Sequence, residues 1–169
     1  MNLTTKILIV VMALGLAACK NPNRYGANGA NGAGATTQGG LGDPSNPASP
    51  AYFNQTVGDR VLFAVDQSTI SDQGRMILAG QAQWLNTNAN YAVIIEGHAD
   101  EQGTREYNLS LGAKRAAAVQ DFLISQGVAA ARMRTISYGK ERPLAICSDE
   151  DCYSKNRRAV TVLQVGGGL

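Results

Sequence analysis

Residues 53–165 predict an α/β unit whose elements run strand, helix, strand, helix, strand, loop, strand. Three observations carry that prediction. Val61–Val65 and Tyr91–Glu96 are apolar runs of strand length. Two longer stretches place their hydrophobes at helical spacing. Met133–Tyr138 alternates as a strand with one wet face does, and Arg158–Val165 closes the chain in the same idiom.

Each element has its own signals. The first strand ends at Asp66. Ser71 or Asp72 then caps a helix whose inward face is Leu78, Ala82 and Leu85, with Ile77 and Trp84 beside them. Asn86–Asn90 ends that helix, and Gly97 stops the second strand. The polar loop Gly97–Gly103 holds the single histidine, His98. A second helix runs from near Thr104 to Gln126, with Gly127 beyond its end. Tyr107, Leu111, Ala118 and Phe122 are spaced for one face, widened by Val119 and Leu123. Gly112 inside this helix costs about 1 kcal/mol relative to Ala, which implies a packing requirement. Gly139–Asn156 is expected to be a long loop.

The remainder of the chain differs in composition. Residues 1–18 carry Lys6, the apolar run Ile7–Leu16 and the small residues Ala17 and Ala18, ahead of Cys19. They predict a secretory signal whose apolar run is short for a mature membrane span. Leu16-Ala17-Ala18-Cys19 resembles the bacterial lipobox, which implies cleavage before Cys19 and acylation of that residue. Lys20, in place of an Asp, favours the outer membrane as the destination. Residues 20–52 alternate Gly with Asn, Ala, Thr and Ser and end in Pro44, Pro47 and Pro50. Such a stretch buries too little apolar surface to order itself, so 19–52 predicts a lipidated Cys and flexible linker with a span of about 30 Å. Residues 166–169 form a short tail.

Composition also excludes classes of function. The net charge is +2 with no polybasic block, which gives no reason to expect nucleic acid. One histidine excludes a multi-histidine metal centre. No cofactor is called for.

Three segments stand out: Gly97-His98-Ala99-Asp100-Glu101-Gln102-Gly103, Tyr107–Ala116 and Asn156-Arg157-Arg158. They resemble the OmpA-like peptidoglycan-binding domain, over roughly residues 57–165. That resemblance implies an α+β sandwich, a mixed four-stranded sheet with helices on one face, in the sequence order β-α-β-α-β-β. It implies a non-catalytic ligand site for the diaminopimelate of a peptidoglycan stem peptide. It also implies TolB and other Tol proteins as partners, with roles in envelope integrity and cell division.

Diaminopimelate presents an ammonium and a carboxylate on one stereocentre, so its site needs an anion and a cation close together. Carried onto this chain, the family's ligand pair is Asp100, to accept from the ammonium, and Arg115, to grip the carboxylate through two N–H groups. Phe63, Asp66, His98, Asn108, Leu111 and Arg158 are placed near the pocket by the same resemblance. Ala64 departs from it, standing where an acidic residue is often found. Bland roles compete: Asp66 or Asp100 as caps, Tyr107 and Leu111 as core, His98 as a hydrogen-bonded loop residue, and one of Arg157 and Arg158 on the surface. Cys147 and Cys152 can close a small disulfide loop in an oxidising compartment. The competing function is a periplasmic cell-wall hydrolase using His98 with Asp100, Glu96 or Glu101. No G-x-S-x-G, Cys–His pair or metal triad supports it. A third reading is a protein-docking surface alone.

Overall fold

The computed structural model describes residues 42–165. The signal, Cys19, the first part of the linker and the 166–169 tail lie outside the described residues. Four strands form one mixed sheet: β1 (Arg60–Leu62), β2 (Tyr91–His98), β3 (Met133–Gly139) and β4 (Arg158–Val165), in the spatial order β1-β4-β2-β3. β4 lies antiparallel to both β1 and β2, while β2 and β3 are parallel. A parallel pair needs a crossover. Helix α3 (Arg105–Ser125), followed by the 3₁₀ turn Ala130–Arg132, supplies it.

Helix α2 (Asp72–Thr87) begins at its N-cap Ser71, whose Oγ accepts from Gly74 N. Thr104 does the same for α3 through Tyr107 N. Both helices cover one face of the sheet. Leu78, Ala82, Leu85, Val93, Ile95, Ala116, Val119 and Leu123 form the core between them, each at most 2% exposed. The opposite face carries Leu62, Glu96, Arg134 and Ile136, which are half-buried or exposed.

Several expectations are corrected. The folded unit starts before Phe53. Residues 43–49 turn back on themselves, Pro50–Tyr52 forms helix α1, and Phe53–Gly58 continues as a π-helical turn. Trp84 Nε1 donates to Pro47 O at 2.7 Å, and Phe53 packs on the Trp84 ring at 4.9 Å. Composition alone hid this strap because its anchors are borrowed from α2 and β2. The first strand is shorter than Val61–Val65. Phe63 N still donates to Arg157 O, but Asp66 takes φ +57° and the chain leaves the sheet with Val65 exposed. β2 runs through Gly97 to His98 rather than stopping. Within 139–156 a fourth helix, α4 (Glu150–Asn156), forms on its N-cap Asp149, so a helical turn precedes the last strand.

The buried stripe of α3 is also rotated from the one expected. Its inward residues are Asn108, Gly112, Arg115, Ala116, Val119 and Leu123, whereas Tyr107 is 49% exposed. A glycine lets that face approach the sheet closely. A Cβ on Gly112 would lie 2.4 Å from Ser137 Oγ and 2.8 Å from Gly97 O. A Cβ on Gly97 would lie 1.8 Å from Gly112 O. The helix therefore rests backbone-to-backbone on the sheet where the two glycines face each other.

Candidate functional site

The site is built where β1 and β2 end and α3 begins. A cleft of about 250 Å³ is lined by Val65, Asp66, Asp100, Gln102, Gly103, Tyr107, Asn108 and Leu111. Three chain segments meet there: the exit of β1, the turn after β2 and the first two turns of α3. Asp66 and Tyr107 join across it, the Tyr107 hydroxyl donating to Asp66 Oδ1. That bond raises the Tyr107 hydroxyl above its ordinary range. Asp66 sits in the left-handed region, which Asp tolerates better than most residues.

Asp100 is 8% exposed and held on both oxygens. Oδ1 accepts from Gln102 N at 3.2 Å, closing the turn, and Oδ2 accepts from Arg157 Nη1 at 3.2 Å. Asn108 Nδ2 donates to the carbonyls of Gln102 at 2.8 Å and Asp100 at 3.3 Å, fixing the same turn from the helix. A carboxylate offers about four lone-pair sites, so Asp100 keeps acceptor capacity toward the cleft.

Arg115 lies beneath the cleft, not in its wall. The side chain is fully buried, over the Phe63 ring at 5.2 Å. Its guanidinium donates to three main-chain carbonyls: Gln67 O at 2.8 Å, His98 O at 2.8 Å and Ala64 O at 3.1 Å. Two-pronged capture of an incoming carboxylate is therefore not the geometry of this structure. Arg115 instead ties the β1 exit to the β2 exit. Burial pulls it down to about 10, opposed by the field of Asp100, so it stays cationic at neutral pH.

Arg157 is the residue that the sequence undervalued. It is 4% exposed and also pairs with Glu150, which holds its charge firmly. Nε donates to Phe63 O at 3.2 Å. One guanidinium thus reaches the β1 exit, Asp100 and α4. The sequence marks Asn156-Arg157-Arg158 as a segment of the motif, but which arginine reaches Asp100 depends on β4 lying beside β1. Asn156, equally buried, holds the preceding loop. Its Oδ1 accepts from Leu144 N and Ala145 N, and its Nδ2 donates to Ala145 O.

His98 and Arg158 are neighbours of the cleft, not part of its wall. His98 is 2% exposed, against Tyr138, with neither ring nitrogen hydrogen-bonded and Glu96 Oε2 at 3.5 Å. The expected side-chain hydrogen bond is absent, and His98 ends β2 rather than lying in the loop. Burial, with the fields of Arg158 and Arg142, lowers it to about 4. Arg158 is also buried and donates to Arg142 O at 3.2 Å. Leu111 is half-buried in the cleft wall, not core.

Cys147 and Cys152 are joined by a disulfide with Cα atoms 5.6 Å apart. They and Asp149 are the one cluster of metal-ligand side chains among the described residues, and the bond occupies both sulfurs. Among the described residues no helix is long and apolar enough to cross a membrane.

Residues 62–157 match the model of the OmpA family. A peptidoglycan-associated lipoprotein of Agrobacterium fabrum is 52% identical, covering 95% of this chain and 88% of that protein. The one from Haemophilus influenzae is 41% identical over 95% of this chain and 98% of its own length. The chain belongs to the peptidoglycan-associated lipoproteins of the OmpA family. The crystal structure of the Burkholderia pseudomallei member superposes with a TM-score of 0.64 at 41% identity, covering 72% of this chain and all of that one. The C-terminal domain of Helicobacter pylori MotB shares the fold alone, at 21% identity and a TM-score of 0.60, covering 63% of this chain and 84% of that one.

Proposed function

We propose that this chain is an outer-membrane lipoprotein, acylated at Cys19, that binds the diaminopimelate of peptidoglycan without covalent chemistry and tethers membrane to wall. The observation that carries this is the cleft itself, which holds two carboxylates, Asp66 at the exit of β1 and Asp100 in the turn after β2. The ammonium of diaminopimelate is held by Asp100, with Asp66 on the facing wall. Its carboxylate is met by N–H groups of the Asp100–Gly103 turn and the start of α3, with the buried charge of Arg115 beneath. Each pocket need bind only modestly, because a leashed globule meets a polymer carrying many copies of its ligand.

The relatives' names support wall association, and the same reading includes the Tol–Pal system, with TolB as a partner and a role in envelope constriction at division. The hydrolase alternative is disfavoured by His98, which is sealed away from the cleft and kept neutral. The test is retention on sacculi. Soluble diaminopimelate should release the protein, and Asp100→Asn should abolish retention. Undiminished retention of that variant would remove the site.

A further inference from the structure

The chain enters this domain at one end, and the cleft lies at the other. Within the strap, Ser49 Oγ donates to Asp43 O at 2.6 Å and accepts from Tyr52 N at 3.1 Å, knotting residues 43–52. The knot is fastened to the domain through Trp84 Nε1 on Pro47 O and the Tyr91 hydroxyl on Ala48 O at 3.3 Å. Trp84 is in the last turn of α2, and Tyr91 is the first residue of β2. Asp100, Gln102 and Gly103 follow directly after the end of β2. Anchor and cleft are thus separated by the length of β2, about 23 Å.

The next element along the chain from the strap is β1. It is a three-residue edge strand paired only with β4, and it runs straight into Phe63, Val65 and Asp66 at the cleft. Tension delivered to β1 would pull on the weakest strand and, through it, on the cleft wall. The strap contacts route that tension to α2 and β2 instead. β2 is hydrogen-bonded on both sides, from Tyr91 to Gly97 along β4 and from Val93 to His98 along β3. A pull between Tyr91 and Asp100 runs along the axis of β2. Its ladder bonds are then loaded together, whereas a strand peeled from one end loses them one after another.

We propose that residues 43–58 are a strain-relief clamp, bearing tension from the tether in place of β1 so that the ligand cleft stays formed under load. The proposal rests on the wall-tethering reading above. The direct test holds the full chain by its N-terminal end and presents a bead carrying a diaminopimelate-containing muropeptide, with bond lifetime measured at constant force. Trp84→Phe combined with Tyr91→Phe removes both donors and keeps an aromatic ring at each position. Unloaded affinity should be unchanged, and lifetime under load should shorten several-fold. Equal lifetimes under load would overturn the clamp.

A second measurement needs no ligand. The chain is pulled between its N-terminal end and an azide-bearing side chain introduced at position 102. The double variant should give its first rupture at lower force than the parent, and equal forces would refute the clamp. Ser49→Ala, which loosens the knot without altering either ring, should shift the first rupture the same way. A parent chain that fails to bind the bead at zero load would sink the wall-binding reading alone, since the covalent pull still decides the clamp.

Discussion

Gly97→Ala isolates the close approach of α3 to β2. The added methyl would sit 1.8 Å from Gly112 O and 2.6 Å from Gly112 C, with the Ala116 methyl at 3.2 Å. None of these atoms can rotate away: two are main chain and the third is a methyl fixed to α3. To restore van der Waals separation the helix must withdraw by roughly 1.5 Å, opening the layer that contains Ile95, Ala116 and Val119. Overpacking of this kind costs about 3 kcal/mol. For a domain of this size that lowers the unfolding midpoint by about 10 °C. The same withdrawal carries Asn108 and Leu111 outward, because they lie on the first turns of α3, so retention on sacculi should fall as well. Gly80→Ala is the matched control. Its Cβ would meet only Val57 Cγ1 at 3.7 Å, in ordinary contact, within α2. There Ala should stabilise by about 0.5–1 kcal/mol through helix propensity. Thermal unfolding followed by circular dichroism measures both. A Gly97→Ala midpoint within 2 °C of the parent would mean that helix and sheet are not locked by backbone contact, and the account of Gly112 would fall with it (the 2 °C threshold is about a fifth of the expected shift).

Asp100→Asn keeps the shape of the turn at Gln102 but removes the charge, and should weaken diaminopimelate binding by about tenfold to a hundredfold in calorimetry. Glu150→Gln leaves the cleft wall intact but removes one of the two carboxylates that hold Arg157, so affinity should drop a few-fold in calorimetry; unchanged affinity would show that Asp100 and Phe63 O suffice to hold Arg157. His98 binds a proton in the unfolded chain near pH 6.5 but in the folded one only near 4. Its contribution to stability is therefore present above pH 6.5 and lost as pH falls toward 4, by about 2–3 kcal/mol. Denaturant titrations of His98→Gln across that window should show a flatter pH dependence, and a parallel curve would refute the assignment. Reduction of Cys147–Cys152 releases a short closed loop and should cost about 2 kcal/mol, seen as a lower melting temperature with reductant and two newly alkylatable thiols.

The four strands, the two long helices and a cap at Ser71 or Asp72 were legible because each rests on local chemistry: apolar runs of strand length, helical spacing and a polar residue at a helix start. The motif around Asp100 pointed to the turn after β2 through its resemblance to the OmpA-like domain, and Asp66, Asp100, Asn108 and Leu111 do line one cleft there. What lay beyond reach depended on partners distant in the chain. Arg115 reads as an exposed ligand clamp until the carbonyls of Ala64, Gln67 and His98 are found around it. Arg157 gains its role only when β4 is set against β1, bringing Phe63 and Asp100 within reach. The Pro-rich strap reads as linker because its order is supplied by Trp84 and Tyr91, and Gly112 reads as a defect until Gly97 is opposite it. Sequence by itself determined the four strands and the two long helices, since those depend on neighbours a few residues apart. Tertiary structure alone decided which charged groups line the cleft and which lie sealed beneath it, because burial and pairing are set by chain segments that meet only after folding.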